Sequence, residues 1–365
     1  MAEERDDAAE RLDRYRSMRD FGRTPEPSGA EAAAVAEPAG GTEAGGRFVV
    51  QEHHATALHW DLRLERDGTL ASWAVPKGIP PDPRTDHLAV HTEDHPLMYL
   101  EFEGQIPEGE YGAGKMTVWD RGTYDCEKWS DREVMFTLHG ERARGRHVLF
   151  RTGEKQWMLH RMDPPADPTR EPMPDSVPPI ALPEGSLPDD QEAWSFEPAW
   201  GGTRVTVASE GGRIRVLEEK GAELSDQFPE LRALGRALGT VAVVLEGEVM
   251  VAGAGGRPDP EALGHRARAK SEAALRRIAD RSPASFLAAD VLWLEGHSTT
   301  PLPYRQRRAL LERLELEGPS WRPAPSHPGD GTALLDAARL QGLPGIVARH
   351  LAAGYDPDHL RFIPA

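Results

Sequence analysis

The chain is expected to be mainly β, with a small β-barrel followed by an α+β domain, and three observations carry this. Between Arg47 and Asp163, short apolar segments with two-residue alternation recur between Gly, Pro or Asp turns, the pattern of an antiparallel barrel or sandwich. Nine prolines between Pro164 and Pro188 then break all periodicity. After them, strand-like and helical stretches mix, as in an α+β domain.

The elements follow in order. Residues 1–46 start as a charged, helix-like segment and pass into PEPSGAEAAAVAEPAGGTEAGG, an Ala/Gly/Pro tract expected to be flexible. Within 47–163, RFVVQ, TLASWAV, HLAVHT, KMTVWD, EVMFTLHG, RHVLFRT and QWMLHRM are expected as strands. Residues 164–193 form an extended, proline-rich linker. Within 194–365, TRVTVAS, RIRVLEE and VAVVLEGEVMV are expected as strands, and PEALGHRARAKSEAALRRIAD and YRQRRALLERLEL as helices.

Composition narrows the function. A formal net charge of -17 rules out a generally cationic nucleic-acid coat but leaves room for a local basic groove. One cysteine, Cys126, forbids an internal disulfide and suits a reducing cytoplasm. Neither an apolar signal core nor a membrane-length run occurs, so a cytoplasmic protein without a membrane partner is expected. Only six residues are lysine, which matters where chemistry requires a lysine nucleophile.

The stretch HHATALHWDLRLE carries the chemistry. From His59 onward, His59, Asp61 and Arg63 share one parity and Trp60, Leu62 and Leu64 the other, so a strand here has one apolar and one polar face. His53, in the turn leading into it, is expected to fold over the same spot. Two imidazoles and a carboxylate suit Mn, Fe, Zn or a similar ion. Arg63 continues the row, where a guanidinium clamps phosphate. An isolated H-x-D is more often a solvated strand face, but HTEDHPLMY adds His91, Glu93, His95 and Tyr99 nearby. That surplus of histidine is hard to explain by packing.

Taken together, RYRSMRDFGRTPEP, HHATALHWDLRLE, WAVPKG, HLAVHTEDHPLMY, FEGQIPEGEYGAG and VWDRGTY resemble the 3′-phosphoesterase domain of bacterial multifunctional DNA-repair ligases that act in non-homologous end joining. The resemblance implies a compact β-barrel that binds Mn²⁺ and trims the 3′ ends of a DNA primer strand, taking off a terminal ribonucleoside and then the 3′-phosphate. By position it implies His53, His59 and Asp61 as metal ligands, and Arg63, His95 and Tyr99 as the residues on the scissile phosphate, with His95 as general acid. Lys77 would neutralise charge and Glu93 would orient a ligand. Arg19, Asp20 and Glu26 fall on site positions, so the amino-terminal arm would fold back over the barrel. His87 stands where the family often carries Arg, and Trp60 where it usually carries Tyr.

From about Trp194 the chain resembles the adenylation domain of ATP-dependent DNA ligases, in degenerate form. In WSFEPAWGGTRV the nucleophilic lysine position holds Ala199 and the following aspartate position Gly201; a methyl group forms no phosphoramidate. Glu246, Glu248 and Asp290 remain near acidic motif positions, whereas LPGIVARH has Pro344 for Glu and Arg349 for Lys. Lys220 has no feature placing it in a nucleotide pocket. ATP is therefore not expected to be used covalently. The leading expectation is a Mn²⁺-dependent 3′-end-processing enzyme fused to an inactive ligase-like domain, working on DNA 3′ ends beside other end-joining proteins. The alternatives are a working ATP-dependent DNA ligase, a non-catalytic DNA-end scaffold, and an iron oxygenase built on the H-x-D pair.

Overall fold

A computed structural model describes residues 10–29, 45–165, 167–253, 257–269 and 271–365, and the chain forms two units, Met1–Pro168 and Thr169–Ala365. Most of the Ala/Gly/Pro tract, 30–44, lies outside the described residues.

The first unit contains β1 (Gly45–His54), β2 (Leu58–Arg66), β3 (Thr69–Val75), β4 (His87–His91), β5 (Gly104–Ile106), β6 (Gly114–Trp129), β7 (Glu133–His139), β8 (Arg144–Arg151) and β9 (Gln156–Arg161). The order β1-β2-β3-β4-β9-β8-β7-β6 closes because β6 pairs back onto β1, giving an eight-stranded antiparallel barrel with β5 on its rim. Closure leaves no open edge along these strands. β6 runs well beyond the expected KMTVWD, pairing first with β1 and then with β7. Gly122 permits the crossing, since a Cβ there would lie 2.3 Å from the His139 carbonyl oxygen.

Side-chain parity builds the core. Trp60, Leu62 and Leu64 of β2 point inward with Val50, Trp73, Phe136, Leu149 and Leu159, each worth about 1.5–3 kcal/mol when fully buried. The opposite parity faces out of the barrel, so a one-residue slip of β2 would drive His59, Asp61 and Arg63 into the lumen. A second, smaller core covers that outer face. Leu12 and Tyr15, from and beside α1 (Asp13–Ser17), pack with Val49, Leu70, Tyr99, Leu100, Ile106 and Met116. The arm does fold back, and the Tyr15 hydroxyl fastens it by donating to the Pro27 carbonyl at 2.7 Å.

One barrel residue makes stability depend on pH. His147 is fully buried, stacks on Phe136 and donates its Nδ1–H to the Gly145 carbonyl; burial lowers its pKa from 6.5 to about 4. The unfolded chain takes up the proton below 6.5 while the folded barrel resists until about 4, so stability is lost as pH falls through that window and levels out below it. We expect a loss of roughly 3 kcal/mol between pH 7 and 4. Urea unfolding of His147→Asn should show a correspondingly shallower pH dependence than the parent chain.

The second unit has two sheets. β10 (Trp194–Ala199), β17 (His327–Pro328), β18 (Gly345–His350) and β19 (Leu360–Pro364) form one, in the order β17-β10-β18-β19. β11 (Thr203–Glu210), β12 (Arg213–Glu218), β13 (Val243–Val251), β14 (Ala284–Leu294) and β15 (His297–Ser298) form the other, in the order β12-β11-β13-β14-β15, with β16 (Trp321–Pro323) parallel to β14. The helices are α2 (Arg232–Leu238), α3 (Pro260–Ala267), α4 (Glu272–Arg281), α5 (Tyr304–Arg313) and α6 (Gly331–Gln341).

The single helix expected over PEALGHRARAKSEAALRRIAD is divided into α3 and α4, and Ser271 caps the second by accepting from the Ala274 amide. α6 packs Leu335 and Ala338 on Phe196 and Ile346. The proline-rich segment is extended and bonded to this unit: the carbonyls of Val177, Ile180 and Pro183 accept from Thr206, Arg204 and Phe362. Among the described residues, no helix is long and apolar enough to cross a membrane.

Candidate active site

The antiparallel register of β1 and β2 sets His53 opposite His59 and Gln51 opposite Asp61. His53 is thus a strand residue rather than part of the lead-in turn. One ligand atom from each of His53, His59 and Asp61 falls within 4.8 Å of the others. His53 Nδ1 lies 3.6 Å from Asp61 Oδ2 and His59 Nε2 3.7 Å from Asp61 Oδ1.

The remaining ring nitrogens explain how the two rings are oriented. His53 Nε2 sits 2.9 Å from the Gly112 carbonyl and His59 Nδ1 3.0 Å from the Ala57 carbonyl. A carbonyl oxygen only accepts, so each of these nitrogens carries a hydrogen, and each imidazole turns its other nitrogen toward Asp61. Carbonyl-set tautomers of this kind are the usual support for metal-binding histidines. Burial alone would raise the pKa of Asp61, but Arg63 and the two imidazoles outweigh it and hold the carboxyl well below its ordinary range. Two imidazoles and a carboxylate are a donor set that fits a divalent transition metal.

Arg63 is brought next to the triad, but its donors are turned inward. Its Nη2 donates to Asp61 Oδ2 at 2.9 Å, Nε to Gln51 Oε1 at 2.8 Å and Nη1 to Ser72 Oγ at 2.9 Å. Only 2% of it is exposed. As built, the guanidinium clamps the metal-facing carboxylate and does not present a free fork to phosphate.

The other expected residues form a second, adjoining cluster. Arg19 Nε donates to Glu26 Oε1 at 2.7 Å, Nη1 to Glu93 Oε1 at 3.1 Å, and Nη2 approaches His95 Nε2 at 3.3 Å. His95 Nδ1 donates to the Glu93 carbonyl at 2.8 Å, so Nε2 accepts from Arg19. Burial, with Arg63 and Arg19 close by, pushes this imidazole well below its ordinary pKa and leaves it neutral. The Tyr99 hydroxyl donates to Glu26, while the Tyr99 ring lies 4.9 Å from the Arg63 guanidinium carbon and joins the clusters. Two expected residues sit on exposed turns. Asp20 is exposed and accepts from the Gly22 amide in its own turn, and Lys77 is in the exposed turn after β3, two residues past the partner of Trp60.

Three contributors go beyond the residues the sequence singles out. Gln51 fixes Arg63 and donates to the Tyr99 and Phe102 carbonyls; its only signal is a lone amide on the parity of His53. Ser72, another clamp on Arg63, has no sequence signal because only register brings it there. Tyr15 roofs the second cluster, its ring 5.1 Å from His95 and 3.9 Å from the Arg19 guanidinium carbon.

In the second unit, Ala199 ends β10 opposite Gly345 of β18. Gly201 has φ +69°, and a Cβ there would lie 3.0 Å from the Pro344 ring. The glycine in place of aspartate and the proline in place of glutamate therefore pack against each other. Beside them Arg349 donates to Glu197 at 3.2 Å, Glu246 at 2.6 Å and Asp290 at 3.3 Å. Arg307 makes a bidentate pair with Asp290, Arg204 pairs with Glu246, and Tyr304 donates to Glu197. Glu248 accepts from the amides of Trp200 and Gly202. Lys220 is exposed in the turn after β12, in the sheet that does not contain Ala199.

Residues 51–151 match the family model of the DNA ligase D 3′-phosphoesterase domain, and residues 184–361 that of the ATP dependent DNA ligase domain. The chain thus carries one stretch similar to each of these families, one after the other. The multifunctional non-homologous end joining protein LigD of Mycobacterium bovis is 40% identical over 354 residues, covering 96% of this chain and 44% of that protein. The like-named protein of Pseudomonas aeruginosa is 33% identical over 398 residues, covering 94% and 45%. DNA ligase C1 of Mycolicibacterium smegmatis is 32% identical over 203 residues, covering 54% and 56%. The chain spans less than half the length of the two LigD relatives.

Proposed function

We propose that the first domain is a Mn²⁺-dependent phosphoesterase that trims 3′-phosphate or 3′-ribonucleoside ends of DNA during cytoplasmic end-joining repair, and that the second is a ligase-like domain without ligase activity. The convergence of His53 Nδ1, His59 Nε2 and Asp61 carries the first half of this reading. A divalent cation in that position supplies positive charge to the phosphoryl oxygens.

The chain's own groups supply the rest. Arg63 keeps Asp61 ionised and aimed, and Gln51 with Ser72 keeps Arg63 from swinging away. Arg19 holds Glu93 and the His95 imidazole side by side, donating to both. Because His95 is neutral and accepting in the free protein, a general-acid role requires it to gain a proton at Nε2 when phosphate arrives. The phosphate charge favours that protonation.

The second half rests on three replacements that act together. Ala199 offers no nucleophile, Pro344 fills the space over Gly201, and Arg349 places a guanidinium among the carboxylates. A primer-template ending in 3′-phosphate should yield inorganic phosphate and a 3′-hydroxyl with Mn²⁺ and stay intact with a chelator. No covalent AMP should appear on the protein with α-labelled ATP. Failure to release phosphate with any divalent metal rejects the first half, and a protein-AMP adduct rejects the second.

A further inference from the structure

The motif FEGQIPEGEYGAG holds a residue that neither cluster uses. Residues 107–113 form the turn from β5 to β6, closed by its own main chain: the Glu110 amide donates to the Pro107 carbonyl and the Ala113 amide to the Glu110 carbonyl. This turn touches both halves of the site. The Gly112 carbonyl accepts from His53 of the metal-facing triad, and Glu110 pairs with Arg23 of the arm at 3.1 Å. Tyr111 lies between these two anchors in the chain.

Three features set Tyr111 apart. It is 48% exposed, and no other Trp, Tyr or Phe among the described residues is exposed. Its ring centroid lies 5.3 Å from the guanidinium carbon of Arg19, the residue that donates to Glu93 and His95. The carboxylates about it do not stand alone: Glu93, Glu110 and Asp61 each have an arginine partner, in Arg19, Arg23 and Arg63. Partial burial raises the pKa of the Tyr111 hydroxyl, and the charge of Glu93 adds to the rise, so the phenol stays neutral.

These features select what the ring meets. Beside groups that engage a terminal phosphate, the adjoining part of a DNA end is a nucleoside, and its base offers a flat face on which an aromatic ring stacks whatever the sequence. A tyrosine gives up little freedom in such a contact, because it has only two side-chain torsions. Gly112, the next residue, bonds a triad histidine, so the nucleotide that carries the phosphate reaches the ring before any further along the strand.

We infer that Tyr111 is a positioning residue for the DNA end, its ring stacking on the base of the nucleotide whose 3′-phosphate lies at the triad. The inference rests on the phosphoesterase reading, and binding is measured beside turnover so that the two fail separately.

The test uses the full chain, Mn²⁺ and a primer-template ending in 3′-phosphate. Tyr111→Ala should raise KM about tenfold, the size of one base stack, with kcat within about twofold of the parent. Tyr111→Phe keeps the ring and should restore KM. Replacing the terminal nucleoside of the primer by an abasic tetrahydrofuran analogue should raise KM of the parent chain by a similar factor and leave that of Tyr111→Ala no higher. Mn²⁺ affinity of Tyr111→Ala should match the parent, which separates lost stacking from a displaced Gly112 carbonyl. A parent-like KM for Tyr111→Ala, equal losses in Tyr111→Ala and Tyr111→Phe, a full abasic penalty remaining in Tyr111→Ala, or a fall in its Mn²⁺ affinity overturns the inference. If the parent releases no phosphate with any divalent metal, the phosphoesterase reading fails, and Kd for the same oligonucleotides by fluorescence anisotropy decides on Tyr111. Weaker, base-independent binding by Tyr111→Ala then supports the stacking role, and binding equal to the parent rejects it.

Discussion

His59→Ala should lose Mn²⁺-dependent phosphate release by at least about 100-fold and lose most of its Mn²⁺ affinity, while its melting temperature stays within a few degrees of the parent. Loss of a supporting group around a bound metal already costs 10–100-fold, and His59 is placed as a ligand itself. The fold should tolerate the change because the His59 side chain is 22% exposed and its hydrogen bond is to the Ala57 carbonyl two residues away. No buried charge is left unpaired. Asp61→Ala should behave differently. It strands the Arg63 guanidinium, which is 2% exposed, and breaking one side of a buried pair costs about 3–5 kcal/mol. Asp61→Asn keeps an oxygen toward Arg63 and should recover part of that stability without recovering activity. Metal titration and thermal melts of the three variants separate ligation from folding. Parent-like phosphate release by a folded His59→Ala chain would reject the proposed metal site.

The contrast between His59 and Asp61 also marks how far the sequence reaches. Alternation along LHWDLRLE fixes faces, so the polar row on β2 and the apolar row against the barrel core are both legible in the residue order alone. Most barrel strands are legible too, because each short segment alternates and ends at a turn. What alternation does not carry is register. HHATALHW shows no break in pattern, so the residue order suggests a turn at His53, whereas pairing puts it on β1 opposite His59. Register is likewise what brings Gln51 and Ser72 onto Arg63, and it changes that residue from an expected phosphate clamp into the support for Asp61. The covering arm has a composition that predicts no packing. Its few anchoring residues, Leu12, Tyr15, Arg19 and Glu26, act through contacts with Val49, Leu70, Glu93 and the Tyr99 segment that lie far away in sequence. Asp20 and Lys77 are expected by resemblance alone, and both sit on exposed turns.

In the second domain, Arg349→Ala should lower the melting transition by about 10 °C and leave phosphate release by the first domain unchanged. The residue order LPGIVARH does not show this, because the partners of Arg349 come from β10, β13 and β14. Burial works against its charge, but Glu246, Glu197 and Asp290 hold its pKa well above the ordinary value. Removing the guanidinium leaves three buried carboxylates short of a cation. Arg307 still serves Asp290, Arg204 still serves Glu246, and Tyr304 still donates to Glu197, so the loss should sit near the low end of about 3–5 kcal/mol for a broken buried pair. At roughly 2–4 °C per kcal/mol for a domain of this size, that gives the stated shift. Arg349→Lys returns the motif's usual residue but replaces a fork serving three carboxylates with a point charge. It should recover only part of the stability and still form no AMP adduct, since Ala199 has no nucleophile. A transition within 2 °C of the parent for Arg349→Ala would show that the ionic cluster is not what holds this domain together.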